Sequence, residues 1–505
     1  MNGGIEAMER DRERETAVPL LAEDEERRRL ERLESDPPAL VVVVSDLHLG
    51  KGVDAMTDRY FRRENFFADA AFQRFVCHHL RQGSGTKLLV LNGDILDFLR
   101  IDDWPQDAAS RAEWTETLAR LGAAGASTLV TGHERRFGLH TDPAKSVYKL
   151  RIIARGHPVF FAGLAEWVVA GGTILYVKGN HDVEQHWPLI RRALRDEIHR
   201  AGAPADAVAE QVVFADDATT LANLHIEHGH TYETITRVAG PAELGREDRR
   251  LSLPLGSFVN RYIINRMERV EPFLDNIKPV TDVLRAMVRR QPLAVFGIIW
   301  NGTWFLFRAL AGRRVRHALL SATILAAAAT YLVPPAVLAA VLLYFASPAF
   351  HDWVTRSSIL SDPAVRVGAS VAGTLLPLLV RIGRGLWHEL RRPKGFEDHF
   401  AAGVYGRLAA REIGRPSPWR RRYAVLGHTH QQDVQALPAL GGAPLLYLNS
   451  GTWTPLWPSD RPDLIGRVFH SFLRFQWDNG EYVHETLVWD DEMNRPRASQ
   501  LLAAS

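Results

Sequence analysis

Five apolar runs in this chain stop abruptly at Asp, Asn or His residues set beside glycine. Ala39–Val44 gives way to Ser45-Asp46-Leu47-His48, and Lys87–Leu91 to Asn92-Gly93-Asp94-Ile95-Leu96-Asp97. Thr173–Val177 leads to Gly179-Asn180-His181-Asp182, Leu221–Ile226 to Glu227-His228-Gly229-His230, and Tyr423–Leu426 to Gly427-His428-Thr429-His430. Short, continuous, β-branched runs suit strands covered on both faces. Helical patterns lie between them, at Asn65–Gln82, Ala144–Ala170 and Trp187–Ala201, and strands alternating with helices imply an α/β domain. A further run, Leu445–Leu448, precedes Asn449. Gly466–Trp477 and Tyr482–Trp489 flank Asp478-Asn479-Gly480 as a hairpin, which suggests a second sheet and a sandwich flanked by helices. In open α/β sheets ligands gather beyond the carboxyl ends of the strands, so the five polar tips can meet at one place.

The residue types at those tips define the chemistry. Imidazole and carboxylate donors suit first-row divalent ions such as Mn, Fe, Zn or Co, and the lack of cysteine donors argues against a structural zinc site. Two such ions roughly 3.5–4 Å apart can clamp a phosphoryl group for in-line displacement. A single D-x-H or H-x-H is weak, and a lone histidine is ordinarily a core or surface residue. Five such motifs in series, each directly after a strand, are not explained that way.

Composition narrows the alternatives. Basic residues number 61 and acidic residues 59, a net charge of +2, so no global field draws in nucleic acid and none is expected as a partner. Cys77 is the single cysteine; it forms no intrachain disulfide and fits a reducing compartment as a buried thiol. The N-terminal stretch is rich in both signs of charge and lacks the apolar core of a secretory signal. It reads as a solvated helix or disordered arm ending at Pro37-Pro38.

The series D-x-H, G-D-x-x-D, G-N-H-D, H-G-H and G-H-x-H resembles the calcineurin-like metallophosphoesterases, over roughly residues 39–235 and 400–490. The resemblance implies a four-layer α-β-β-α sandwich and two divalent metal ions, Mn favoured. It assigns Asp46, His48, Asp94 and His430 to one ion, and Asp94, Asn180, His228 and His428 to the other, with Asp94 shared. It further implies attack by a metal-bridging hydroxide, His181 as the general acid and Asp97 as the carboxylate that orients it. His230, two residues beyond His228, is a candidate substrate contact, whereas His225 reads as structural. Protein Ser/Thr phosphatases of this kind carry an arginine in G-D-x-V-D-R-G, which Gly93–Leu99 lacks. Purple acid phosphatases carry a tyrosine ligand after the shared aspartate, also missing here. Asn449-Ser450-Gly451-Thr452-Trp453 looks like bacterial relatives, including UDP-2,3-diacylglucosamine hydrolases, although those commonly have G-N-R-D in place of Gly179-Asn180-His181-Asp182.

About two hundred residues separate His228 from His428, far more than a connecting loop. Within them Ala318–Ser347 carries no charge and Pro292–Leu310 only Arg308. An uncharged stretch of that length exceeds the ~20 residues that cross a bilayer, while a buried helical core is the plainer reading. Since His228 and His428 must meet, the chain between them crosses a membrane an even number of times or not at all. Pro334-Pro335 divides the apolar run into two short arms, which favours a re-entrant or shallow hairpin. Arg289-Arg290, Arg313–Arg316 and Arg381–Arg392 would then face anionic headgroups.

The expected organisation is therefore a charged arm over 1–38, a phosphoesterase domain over 39–235 and 400–490, a helical, membrane-associated insert over 236–399, and a tail over 491–505. The expected function is hydrolysis of a phosphodiester or pyrophosphate bond in a phosphorylated, lipid-linked or nucleotide-lipid substrate, on the cytoplasmic face of a membrane or in the cytoplasm. A nuclease of the same superfamily, which would need a basic, aromatic-lined groove, and a non-catalytic membrane scaffold are the alternatives.

Overall fold

The structure is a computed structural model describing residues 18–19, 21–233, 236–238, 242–244, 249–254, 256–257, 260–265, 268, 277–278, 396–412, 416–458 and 464–499. The chain divides into two units, one formed by residues 1–277 with 395–505 and one by 278–394. The apolar stretches at 292–310 and 318–347, the Pro334-Pro335 break and the three Arg clusters lie outside the described residues. Among the described residues no single helix is long and apolar enough to cross a membrane.

The described elements run α1 (Glu23–Ser35), β1 (Leu40–Val44), α2 (Asp69–Leu80), β2 (Lys87–Asn92), α3 (Ala108–Arg120), α4 (Gly132–Phe137), α5 (Pro143–Gly156), α6 (Pro158–Val169), β3 (Thr173–Val177), α7 (Pro188–Arg200), α8 (Ala205–Gln211) and β4 (Val212–Ala215). They continue with β5 (Ala218–Leu221), β6 (Leu224–Glu227), α9 (Phe396–Glu412), β7 (Arg422–Leu426), β8 (Asp433–Leu440), β9 (Ala443–Asn449), β10 (Ser471–Asp478), β11 (Glu481–Asp490) and β12 (Arg495–Ala498). Two larger sheets result. The seven-stranded sheet has the order β12-β11-β10-β1-β2-β3-β4, and the five-stranded sheet β8-β9-β7-β6-β5. In the first, β1 to β4 are mutually parallel, with Val41 opposite Leu88 and Leu89 opposite Ile174. In the second, β6, β7 and β9 are parallel, with Ala424 opposite both His225 and Tyr447. The fold is thus mixed α/β.

Alternation along the strands accounts for the unbroken apolar runs, because successive side chains leave opposite faces of a sheet. Val42 and Val44, Leu89 and Leu91, and Ile174 and Tyr176 join a cluster with Phe72 and Phe75 of α2, Val147 and Leu150 of α5, and Leu164 of α6. Their neighbours Val41, Val43, Leu88, Val90, Leu175 and Val177 join a second cluster with Leu224, Ile226, Tyr423, Val425 and Leu448 of the other sheet. A third cluster packs Phe400, Ala401, Val404 and Leu408 of α9 on Ala424, Leu426 and Tyr447.

Several expectations need correcting. The N-terminal helix is docked rather than solvated. Glu26 takes a two-oxygen grip on the buried Arg195, at 2.5 and 2.9 Å, and Leu30 and Leu33 pack against the cluster between the sheets. The helix expected over 144–170 is two helices bent by 92° at His157, where Pro158 disfavours a helical conformation of the preceding residue. The strand expected over 221–226 is a hairpin, β5 to β6, turning at Ala222 (φ 48°) and Asn223. Residues beyond 235 still belong to the first unit: Ser257 Oγ donates to Asn180 O at 3.2 Å, and Asn265 Nδ2 to Leu99 O at 2.6 Å.

Candidate metal centre

The parallel strands deliver the five motifs to two adjoining edges. The loops after β1 and β2 prolong the sheet pairing: Asp46 N donates to Gly93 O, His48 N to Asp94 O, and Asp97 N to Leu49 O. Leu47 and Leu49, between and beyond the polar residues, are buried, so Asp46 and His48 turn to one side. The two sheets are stitched at this edge. His428 N donates to Asp46 Oδ2 at 2.9 Å, and the Asn92 side-chain amide donates to Glu227 O at 3.1 Å. The end of β9 and the loop after it brace both sides: Asn449 Nδ2 donates to Gly427 O at 2.8 Å, and Thr452 Oγ1 donates to Asp46 O at 2.6 Å.

The backbone is strained where the polar side chains converge. Asp46, His48, Asp94, His428 and His430 all have φ between 51° and 72°, a left-handed conformation that is uncommon outside glycine and that clusters at functional sites. At Gly93, φ is 78° and a Cβ would stand 2.5 Å from the His228 ring, so no side chain fits between the two ligand loops there.

Three groups of donor atoms result, each compact enough to hold a metal ion: Asp46, His48 and His430; His48, Asp94 and His181; and Asp94, His228 and His428. His430 Nε2 lies 3.4 Å from Asp46 Oδ1 and 3.1 Å from His48 Nε2. His228 Nε2 lies 3.2 Å from Asp94 Oδ2, and His48 Nε2 lies 3.9 Å from the same oxygen. Asp94 therefore stands between the two halves of the centre.

The donors are turned toward the centre and carry the negative charge that a cation would neutralise. His228 Nδ1 donates to Asn92 O at 2.9 Å, which leaves Nε2 to face Asp94. Asp46 Oδ1, Asn180 Oδ1 and His228 Nε2 are buried and make no hydrogen bond, and buried polar atoms of that kind ordinarily have a partner. Burial raises the carboxyl pKa values of Asp46 and Asp94, but the surrounding imidazoles, His228 first, overcome this and hold both well below the usual range. Conversely, burial opposes charge on His228, while Asp94 and Asp46 push its pKa up to about 9. The cluster thus favours positive charge at its centre, and its donor set fits divalent ions.

His181, a member of the second donor group, also contacts Asp97. Its Nδ1 lies 3.1 Å from Asp97 Oδ2, and its ring meets that of His48 edge-on at 4.6 Å. Asp97 is fully enclosed; burial raises its pKa, but His181, His48 and Arg100 drive it far down, so it is an anion. His230, expected to touch substrate, is 3% exposed and packs 5.6 Å from the His228 ring. Burial, with His228 and His428, keeps it neutral. The structural reading of His225 agrees with its 3.1 Å contact to Glu227 Oε1.

Two residues outside the motifs, Glu233 and Arg100, join the site, as does Asp182 at the end of the third motif. Glu233 Oε2 lies 3.3 Å from His428 Nε2. Arg100 Nε donates to Asp97 Oδ2 at 3.1 Å, and its other nitrogens reach Arg63 O and Glu268. Asp182 accepts from Gly179 N, Ile95 N and the Tyr176 hydroxyl, which ties the second and third loops together. Its burial and the nearby Asp94 push its pKa up to about 6.

Compared with models of protein families and with curated proteins, the chain matches none.

Proposed function

We propose that this chain is a two-metal hydrolase of phosphodiester or pyrophosphate bonds, built on the four-layer α-β-β-α sandwich of the calcineurin-like metallophosphoesterases. One observation carries the reading. Five non-glycine residues, from three separate loops, take left-handed backbone conformations and turn their side chains into one buried Asp/His centre. The order of helices, seven-stranded sheet, five-stranded sheet and α9 supports the fold assignment.

In this reading Asp46, His48, Asp94 and His430 hold one ion, and Asp94, Asn180, His228 and His428 the other, with Mn favoured over Fe, Zn or Co. Two divalent cations, when bound, supply Lewis acidity toward a phosphoryl oxygen and toward a water molecule. The remaining work falls to the chain. Asp97 fixes the ring of His181 and stabilises its imidazolium, and His181 gives a proton to the departing ester oxygen. Arg100 holds the Asp97 carboxylate in place. His230, whose ring lies 5.6 Å from that of His228, is the candidate contact to substrate.

The substrate in this proposal is amphiphilic, and the uncharged stretch Ala318–Ser347 keeps the enzyme on the cytoplasmic face of a membrane. Support for that part comes from sequence alone, and flotation of the full chain with anionic vesicles tests it.

The deciding experiment is hydrolysis of bis-p-nitrophenyl phosphate by detergent-purified protein with Mn²⁺, beside Asp94→Ala, with metal content measured on both. Wild-type turnover with bound metal, both lost in a folded Asp94→Ala protein, is the expected result. A wild-type protein that retains no metal after reconstitution would refute the proposal.

A further inference from the structure

The two oxygens of Asp97 are not equally engaged. Oδ1 accepts from the backbone N–H groups of Leu99 and Arg100, at 3.1 and 3.2 Å. Oδ2 is left to serve three side chains: it stands 3.1 Å from His181 Nδ1, 3.3 Å from His48 Nδ1 and 3.1 Å from Arg100 Nε. Arg100 therefore shares an oxygen with the proposed proton donor. How its guanidinium is turned decides whether that oxygen still faces His181.

The group that fixes the guanidinium comes from far along the chain. Arg100 Nη2 donates to Glu268 Oε1 at 3.2 Å, and Nη1 lies 3.1 Å from Glu268 Oε2 while donating to Arg63 O at 2.8 Å. Glu268 is fully buried and Arg100 is 2% exposed, so water cannot replace either partner. With its two Nη groups held by Glu268, the planar fork presents Nε to Asp97. A buried guanidinium left with one carboxylate would instead close its fork on that one, because two parallel N–H···O bonds are the favoured arrangement. Asp97 would then be drawn toward Arg100 and away from His181.

The segment that carries Glu268 is tied to the same loops. Asn265 Nδ2 donates to Leu99 O at 2.6 Å, and Arg63 Nη1 donates to Asn265 O at 3.3 Å. Ser257 Oγ donates to the carbonyl of Asn180, the residue before His181. We propose that Glu268 is a positioning residue for the proton donor: by holding the Nη edge of Arg100 it keeps Asp97 Oδ2 aimed at His181. The role rests on the phosphoesterase reading, in which His181 protonates the leaving oxygen.

The test is steady-state kinetics of the full chain with saturating Mn²⁺ on two esters of similar shape. Bis-p-nitrophenyl phosphate releases a good leaving group, whereas diphenyl phosphate releases a poor one that needs the proton. In Glu268→Gln, kcat on diphenyl phosphate should fall about tenfold further than kcat on bis-p-nitrophenyl phosphate, a part of the ~10²–10⁴-fold that proton transfer contributes. KM and Mn²⁺ affinity should change little. Glu268→Asp keeps the charge on a shorter arm and should show the same split in smaller measure, which decides the point if Glu268→Gln does not fold. In a His181→Asn background, Glu268→Gln should add less than about twofold on diphenyl phosphate, since the two act through one group. A merely structural role, or a loosened metal centre, would slow both esters alike. Equal losses on the two esters, or a full further loss in the His181→Asn background, overturn the proposal and leave the phosphoesterase reading standing. A wild type inert on both esters removes the reading and this role together.

Discussion

The Asp97 carboxylate stands 3.1 Å from Nδ1 of His181 and 3.3 Å from Nδ1 of His48. One buried anion thus orients a proposed metal ligand and a proposed proton donor together. Removing the donor should matter most where the leaving group needs a proton. In His181→Asn, kcat should fall ~10²–10⁴-fold for an ester with an alkyl leaving group, and by clearly less for bis-p-nitrophenyl phosphate, whose nitrophenolate departs unaided. Equal losses on the two substrates would remove His181 from the proton-transfer role.

Glu233 makes a different kind of contact. Its carboxylate sits 3.3 Å from His428 Nε2, with Thr236 Oγ1 3.4 Å from the same nitrogen. A carboxylate behind an imidazole fixes the ring and raises its basicity as a ligand, and loss of such a partner typically weakens metal affinity ~10–100-fold. Glu233→Gln should therefore bind Mn²⁺ more weakly by that factor in competition with a chelating dye, while Glu233→Asp recovers part of the loss. Unchanged affinity in Glu233→Gln would leave the contact without a function in the centre.

A stability prediction comes from the crossing of two backbones. Gly52 has φ +62°, and a Cβ there would lie 2.0 Å from Gly156 O, at the end of α5. The obstacle is backbone, so no rotamer change relieves it. Gly52→Ala should destabilise the protein by about 3 kcal/mol or more, within the range of strain at a special backbone position. Urea unfolding followed by tryptophan fluorescence would measure this. A loss below about 1 kcal/mol would mean that the loop after His48 moves freely away from α5.

What could be read from sequence, and what could not, divides along physical lines. Strands such as Leu40–Val44 and Thr173–Val177 were legible because both faces are buried, which leaves a nearly unbroken apolar run. The metal-centre candidates were legible because each follows such a run directly. The β5–β6 turn was not, since Ala222 and Asn223 supply no glycine and Ala222 adopts φ 48° under the pull of its flanking strands. The break at His157 carried a signal in Pro158, but apolar periodicity continues across it into α6. Glu233 and Arg100 reach the site through tertiary contacts, at positions where a charged residue is ordinarily solvated. Docking of α1 was hidden for the same reason: Glu26 and Arg29 look like surface charges until Arg195 and Glu210 are opposite them.

The buried charges behind the first ligand loop make stability depend on pH. Glu64 accepts from the backbone N–H groups of Gly50, Gly52, Asn65 and Phe66, and so clamps the loop that carries Asp46 and His48. His157 stands 3.5 Å from Glu64 and 3.0 Å from Asp69. Burial opposes charge on this imidazole, but the hydrogen bonds and charges of Asp69 and Glu64 prevail and raise its pKa from 6.5 to about 9. Since the folded value is the higher one, the stabilisation is complete below pH ~6.5 and is lost as the pH rises through ~9. It amounts to about 3 kcal/mol at most, by the usual conversion of a pKa shift. Glu64 acts in the opposite sense. Burial raises its pKa, yet His157 and the backbone donors bring it below 4.5, so its contribution disappears only in acid. The unfolding free energy of wild type minus that of His157→Gln should therefore be largest near pH 5–6 and shrink steadily between pH 6.5 and 9. A difference that stays flat across that interval would show that His157 is neutral in the folded protein and that the clamp rests on Glu64 alone.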